Sequence, residues 1–199
     1  MRKPRQEMIA ETRAKLIAAA RQAFGTVGYA AASMDDFTAA VGLTRGALYH
    51  HFGDKKGLLQ AVIDEIDAEM TVRLGAIAAR APNRWQGVVD EWIAYVEMAL
   101  EPDIQRIMFR DGPAVLGDIS QRHTAKGCIA ALTESLASLK AEGVLVDADP
   151  EALAHLINGA SSHAATWIAS SADPGETSRK AVASFRKLLE GLQRRPPAA

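Results

Sequence analysis

The stretch from residue 33 to residue 56, SMDDFTAAVGLTRGALYHHFGDKK, constrains the fold more than any other part of the chain. Ser33 stands where a helix N-cap is expected, and the apolar residues after it recur at steps of three and four, as on one face of a helix. Gly42 follows the last of them, where a residue in the left-handed conformation ends a helix and turns the chain. Thr44 can cap a second helix, in which Leu48 and Phe52 point inward one turn apart. The segment therefore predicts two short helices joined by a tight turn.

This layout is typical of a helix-turn-helix, which places its second helix in the major groove of DNA. With Leu48 and Phe52 inward, the remaining side chains of the second helix face mostly outward. They are Arg45, Gly46, Ala47, Tyr49 and His50. Glycine in a helix interior lowers helix stability by about 1 kcal/mol. Its presence at residue 46, near the helix start, indicates a place that a groove wall approaches closely.

Two lysines open a third helix. Lys55 and Lys56 follow Asp54, which is placed as an N-cap, and cations at that end oppose the helix dipole. No carboxylate stands three or four residues ahead to pair with them. A DNA phosphate at this helix start would account for both lysines, because the dipole and the ammonium groups then act together. A solvated charge pair beside a turn is the alternative.

The stretch from Val41 to Lys55, VGLTRGALYHHFGDK, resembles the DNA-binding domain of the tetracycline-repressor (TetR) family of bacterial regulators. The family pattern is a small hydroxyl residue, an apolar residue four positions on, and then a stretch like A-G-V-S-x-G-x-L-Y-x-H-F-x-x-K. The resemblance extends from the first helix through Leu59. The chain departs from the usual pattern at Thr38 and Val41, which replace common alanines, and at Gly57, where an acidic residue is frequent.

The resemblance implies a role for each matching residue. The recognition-helix surface would consist of Thr44, Arg45, Ala47 and His50. Of these, Arg45 is the best candidate for a bidentate contact to guanine O6 and N7.

Phosphate contacts would come from Tyr49, His51 and Lys55, with Ser33 also near the DNA backbone. Two alternatives stay open. The His51 ring can instead hold the turn before Asp54, and Tyr49 can be half-buried with only its hydroxyl outside.

Charge is distributed unevenly along the 199 residues, although the net charge is only −1. Residues 1–60 carry nine Lys+Arg and five Asp+Glu, a balance of +4, whereas the remainder carries a balance of −5. A basic N-terminal part and an acidic remainder suit DNA at one end and solvent or a small molecule at the other.

Apolar periodicity and helix stop signals predict an all-α fold of about nine helices, with no run of alternating β-branched residues that would indicate a sheet. A break is expected at Asp111-Gly112-Pro113. The predicted helices span about 6–27, 33–41, 44–52, 55–80, 83–101, 103–110, 116–142, 150–171 and 176–192. We divide them into a DNA-binding domain, residues 1–54, and an effector-binding and dimerisation domain, residues 55–199.

The last two helices carry more apolar surface than one core contact needs. The resemblance implies that they pair with their copies across a two-fold axis as a four-helix bundle, with small residues allowing close approach. An intramolecular core is the alternative. The interface candidates are Leu156, Gly159, Ala160, Ala164, Trp167, Val182, Phe185, Leu189 and Leu192.

Aromatic and sulfur-containing residues concentrate in the middle of the chain, where an apolar effector site with a few polar groups is expected. Apolar residues at helical spacing are more often plain core than ligand contacts, and that alternative stays open for each of them. The candidates are Met70, Trp92, Tyr95, Met98, Met108, Phe109, His123 and Trp167. The histidines lack the i, i+4 spacing of a metal site, so we expect neither a metal nor a cofactor.

Two hypotheses follow. The first is a ligand-responsive repressor that binds a palindromic operator as a homodimer and is released by a small apolar or aromatic effector. The second is an all-α enzyme or carrier, for which Cys128 with His123 is the only arrangement worth naming. A single cysteine and the lack of a secretory h-region or an 18-residue apolar run indicate a cytoplasmic protein with no membrane contact.

Overall fold

A computed structural model describes residues 4–42, 44–117 and 123–194, and the side chains of these except Ala40, Arg45 and residues 123–126. Within these ranges the regular elements are helices, and an isolated bridge pairs Leu145 with Gln193. The all-α prediction is confirmed.

The described residues form α1 (Arg5–Thr26), α2 (Gly28–Ala31), α3 (Met34–Ala40), α4 (Arg45–Phe52), α5 (Lys55–Arg80), α6 (Arg84–Glu97), α7 (Pro102–Arg106), α8 (Gly112–Leu116), α9 (His123–Ala141), α10 (Pro150–Ser170) and α11 (Pro174–Glu190). A 3-10 turn, Met98–Leu100, follows α6, and a π-helical turn, Ile107–Asp111, joins α7 to α8. The nine predicted helices occur in the predicted order, and the short helices α2 and α8 were not predicted.

Local side chains begin the two helices of the helix-turn-helix as predicted. The Ser33 hydroxyl accepts a hydrogen bond from the Asp35 N–H at 3.2 Å, and the Thr44 hydroxyl accepts one from the Ala47 N–H at 3.3 Å. Gly42 has a φ of +66°, the left-handed conformation expected at the turn. Because these contacts are local, the sequence was sufficient to predict them.

Four later helix starts are capped in the same way. Each side chain accepts a hydrogen bond from the backbone N–H three residues further on; the four are Asp54, Asn83, Asp149 and Asp173, at 2.7, 2.9, 2.8 and 2.9 Å. Pro150 occupies the first turn of α10, where its missing N–H leaves no donor unpaired.

Residues 102–117 differ from the prediction. The break expected at Asp111-Gly112-Pro113 does not occur, because the π-helical turn leads directly into α8. Pro113 falls in the first turn of α8, where proline is tolerated. A Cβ at Gly112 would lie 2.7 Å from the Ile107 carbonyl oxygen, so only glycine admits this close turn.

The chain forms two compact units. The first contains residues 4–68 and Pro102–Gly117, and the second contains residues 69–101 and 123–194. These units differ from the two domains expected from the sequence, which met between residues 54 and 55. The unit boundary lies inside α5, because the first turns of α5 bury Leu58, Leu59 and Val62. The functional division at residue 54 stays a prediction.

The first unit is built around α1. Phe24 of α1 is fully buried, with its ring centroid 5.3 Å from that of Phe37 on α3 and 5.7 Å from that of Tyr29 on α2. Leu16 and Leu48 complete this core, so the short helices α2, α3 and α4 are held by packing.

The second unit packs α10 against α6, α9 and α11. Its core includes Val96, Leu136, Ile168 and Phe185. No helix in the described part of the chain is both long enough and apolar enough to span a lipid bilayer.

Two glycines of α5 give opposite predictions for stability. A Cβ at Gly57 would lie 2.0 Å from the Phe52 carbonyl oxygen, whereas one at Gly75 would meet nothing within 4 Å. Gly57→Ala should therefore lower the free energy of unfolding by about 1–3 kcal/mol despite the better helix propensity of alanine. Gly75→Ala should raise it by about 0.5–1 kcal/mol. Denaturant unfolding of both variants checks this, and equal effects of the two substitutions would contradict it.

Candidate nucleic-acid interface

Helix α4 presents an open surface. Thr44, Gly46 and His50 are exposed, Tyr49 is half exposed, and Ala47 is half-buried. A Cβ at Gly46 would meet only the Thr44 hydroxyl, at 3.8 Å, so the space before this part of the helix is free. Of the residues predicted to face outward, Gly46, Tyr49 and His50 thus lie at the surface.

Arg45 is the remaining candidate on α4. The Arg45 side chain lies outside the described residues. Its contact to guanine therefore stays a prediction from the sequence.

An arginine that the sequence analysis did not single out holds the end of α4. The Arg13 guanidinium donates to the His51 carbonyl oxygen at 3.3 Å and lies 4.6 Å from the centroid of the Phe52 ring. A cation at a helix C-terminus is favoured by the dipole. Arg13 thereby fixes the orientation of α4 from α1. No local sequence signal links residues 13 and 51.

The same surroundings affect His51, which is half-buried. Burial lowers the pKa of the His51 imidazole below its ordinary value, and the neighbouring His50 and Arg13 lower it further. The ring is therefore neutral at neutral pH in the free protein.

The two lysines at the start of α5 differ. Lys56 is exposed, whereas Lys55 is half-buried, with its ammonium 4.6 Å from the Tyr29 ring centroid and 3.4 Å from the Ala30 carbonyl oxygen. An ammonium has three donors, so Lys55 can hold a phosphate while keeping the contact to Ala30.

The first turns of α4 and α5 contain no acidic residue. The cap of α4 is the neutral Thr44 hydroxyl, so the dipole of this helix attracts anions. The cap of α5 is the Asp54 carboxylate, so the positive charge at that helix start comes from the two lysines. Ser33, at the start of α3, is half-buried, and its hydroxyl oxygen accepts the capping hydrogen bond. The start of α4 and the lysines at the start of α5 can bind backbone phosphates on the flanks of a groove, and the exposed face of α4 can read base edges.

The effector candidates do not all fall in one unit. Met108 and Phe109 are core residues of the first unit. In the second unit, Met70, Trp92 and Met98 are buried. Because the effector candidates are divided between two separately compact units, the proposed effector site includes only the candidates of the second unit.

The other candidates of the second unit are less enclosed. Tyr95 is half-buried, with its ring centroid 6.0 Å from that of Trp92, and Trp167 is half exposed. The His123 side chain lies outside the described residues. Glu91, which the sequence analysis did not single out, is half-buried on α6, and burial raises the pKa of its carboxyl group.

The dimerisation candidates divide into surface and core. On α10, Gly159 and Ala160 are exposed and Ala164 is half-buried, and Leu156 is 68% exposed. Trp167, about one turn beyond Ala164 on the same face of α10, adds a half-exposed ring. Together these five residues form an apolar stripe on α10.

On α11 the expected interface needs correction. Phe185 and Leu189 are only 5% and 1% exposed, because both pack into the core of their own unit, and neither side chain is available to a partner. Leu188 is instead 66% exposed. Val182 and Leu192 are half-buried.

The described residues bear on the enzyme alternative in two respects. They contain no group of three His, Cys, Asp or Glu side chains that could hold a metal ion. Cys128 is exposed, and its proposed partner His123 has no described side chain.

An outward-facing short helix after a tight turn, with lysines at the next helix start, defines the chain as a helix-turn-helix DNA-binding protein. Residues 16–62 match the family described as bacterial regulatory proteins, tetR family. Residues 85–192, more than half of the chain, match the tetracyclin repressor-like C-terminal domain. The chain belongs to the TetR family of transcriptional regulators, which is not a family of enzymes.

Individual relatives are similar over different lengths. A crystal structure of a TetR-family transcriptional regulator from Pectobacterium atrosepticum is 49% identical, with a TM-score of 0.89, over 98% of this chain and 100% of that one. The transposon Tn10 TetC protein of Escherichia coli is 25% identical over 193 residues, which are 94% of this chain and 95% of that protein. A helix-turn-helix transcriptional repressor of Mycobacterium tuberculosis is 35% identical over 80 residues, 40% of this chain and 41% of that protein.

The environment of His51 predicts a pH dependence. Because its pKa in the folded chain is below the unfolded value of about 6.5, the unfolded state takes up the proton more readily, and stability falls as the pH drops below that value. NMR titration should show this lowered pKa, and DNA should raise it if the ring meets a phosphate. His51→Gln is the control, because it removes this titration and keeps a polar side chain at the position. A His51 pKa that does not change when DNA binds would assign the ring to the turn alone.

Proposed function

We propose that this protein is a ligand-responsive repressor that binds a palindromic operator as a homodimer and is released by a small apolar or aromatic effector. The observation that carries the proposal is the open face of α4 beside the lysines at the start of α5. Thr44, Gly46, Tyr49 and His50 would face the groove. A protein that acts on genomic DNA in a bacterium works in the cytoplasm.

Repression rather than activation is supported by a relative. The Mycobacterium tuberculosis protein that shares 35% identity over 80 residues is named a repressor. A regulator that covers an operator can exclude other proteins from that DNA without contacting them, and this needs no surface beyond the helix-turn-helix.

The homodimer is supported by the apolar stripe on α10 and by Leu188 of α11. Large exposed apolar side chains on neighbouring helices favour a protein contact. A two-fold axis would present two copies of α4 to two half-sites about one DNA turn apart.

The effector would bind in the second unit, near Trp92, Tyr95 and Glu91. Aromatic rings offer apolar contact, and a half-buried carboxyl group offers a single polar contact, as in most small-molecule sites. An effector that binds best to a conformation unsuited to the operator lowers DNA affinity, and by linkage DNA lowers effector affinity, typically by about 1–3 kcal/mol. Thermal-shift screening of hydrophobic compounds would identify it.

Two substitutions separate base reading from phosphate binding. Arg45→Ala should cost about 1–3 kcal/mol at one base position and relax selectivity there. Lys56→Ala should weaken binding to all sequences about equally and reduce the salt slope by about 1, because one phosphate contact is lost. Fluorescence anisotropy with the promoter DNA next to the protein's own gene and with random DNA measures both. Wild-type protein with no preference between these duplexes would contradict the proposed function.

The apolar stripe predicts the assembly. Leu156→Asp should weaken dimerisation at least about a hundredfold, since burial of a leucine contributes about 1.5–3 kcal/mol and the substitution occurs twice in a two-fold interface. Val72→Asp, at another exposed apolar residue of the second unit, is the matched control. Sedimentation equilibrium measures the dimer fraction. A Leu156→Asp protein that remains dimeric would exclude this face as the interface.

A further inference from the structure

The junction between α1 and α2 is capped from a distant part of the chain. α1 ends at Thr26 and α2 begins at Gly28, and the residue between them provides no side-chain cap. The last carbonyls of one helix and the first amides of the next lack partners within their helices. Those partners come from α7 and the π-helical turn, 79 to 82 residues further along the chain.

Arg106 caps the carbonyl end of α1. Its Nη1 donates to the Thr26 carbonyl oxygen at 2.5 Å, and its Nη2 donates to the Val27 carbonyl oxygen at 2.9 Å. A Cβ at residue 28 would lie 2.6 Å from Nη2, and Gly28 has a φ of +85°. Glycine at this position therefore admits both the backbone conformation and the guanidinium.

Asp111 caps the amide end of α2. Its carboxylate accepts a hydrogen bond from the Tyr29 N–H at 2.7 Å. The same segment also carries Asp103, whose carboxylate is 2.9 Å from the guanidinium of Arg21 on α1. Three side chains of residues 102–117 thus fasten the segment to α1 and α2.

The capped helix α2 in turn holds a lysine of the proposed DNA surface. The Tyr29 ring lies 4.6 Å from the Lys55 ammonium, and the Ala30 carbonyl accepts a hydrogen bond from that ammonium at 3.4 Å. A continuous series of contacts therefore connects Asp111, Tyr29 and Lys55. All of its members belong to the first compact unit.

We propose that the segment Pro102–Gly117 controls the strength of DNA binding through α2, with Arg106 and Asp111 as positioning residues for Lys55. The proposal rests on the proposed function, in which Lys55 contacts a DNA phosphate. The segment begins directly after Glu101, which belongs to the second unit and is bound there by Arg73 at 2.5 and 2.9 Å.

The test is a double-mutant cycle on operator affinity, measured by fluorescence anisotropy. Asp111→Ala should weaken binding about tenfold, because the Tyr29 N–H loses its charged partner. Asp111→Asn keeps an acceptor oxygen and should stay within about twofold of wild type. Asp111→Asn thereby also controls for the lost charge, and Arg110→Gln, at an exposed arginine of the same turn, is the control for location.

The background variant Lys55→Ala distinguishes positioning from general destabilisation. If Asp111 acts through Lys55, Asp111→Ala should have almost no further effect in the Lys55→Ala protein. An equal loss in both backgrounds would overturn the proposal, as would an Asp111→Ala protein that binds the operator like wild type. Should Asp111→Ala fail to fold, Arg106→Lys, which keeps the charge and loses the two-pronged contact, takes its place in the cycle.

A measurement without DNA separates this inference from the proposed function. Hydrogen exchange at residues 28–32 and 55–59 should be at least about tenfold faster in Asp111→Ala than in Arg110→Gln. Unchanged exchange at residues 55–59 would overturn the coupling even if the operator is bound. Faster exchange in a protein that prefers no DNA sequence would sustain the coupling and refute only the proposed function.

Discussion

The DNA-reading part of this protein depends on one constraint: a helix of eight residues cannot hold its own shape in water. Helix α4 is therefore stable only where it is packed. Leu48 supplies its buried anchor, and Phe24 of α1 joins the rings of Phe37 and Tyr29 around the same core. Because this core fixes the inner face of α4, it also determines which residues face outward.

Capping and periodicity made much of this arrangement predictable. Ser33, Thr44 and Asp54 act on amides two or three residues away, and Gly42 acts on its own backbone, so the sequence alone indicates each of them. The open face of α4 follows from the inward position of Leu48. The all-α fold and the family could also be predicted, because apolar periodicity, helix stop signals and the family pattern are all local features of the sequence.

The features that the sequence did not predict depend on distant residues. Helix α2 has only four residues and is capped by Asp111, and Arg106 caps the end of α1 just before it; no local pattern connects either residue to this junction. On α11, Phe185 and Leu189 share an apolar period with Leu188, and only tertiary packing decides that Leu188 stays exposed. Periodicity identifies an apolar face but not what covers it.

The central claim is that two copies of α4 read two related half-sites. In vitro selection of random duplexes by the purified protein tests this most directly. The account predicts an enriched two-fold symmetric sequence whose half-sites lie about 10 base pairs apart, centre to centre. Enrichment of a single asymmetric site, or of no sequence at all, would contradict it.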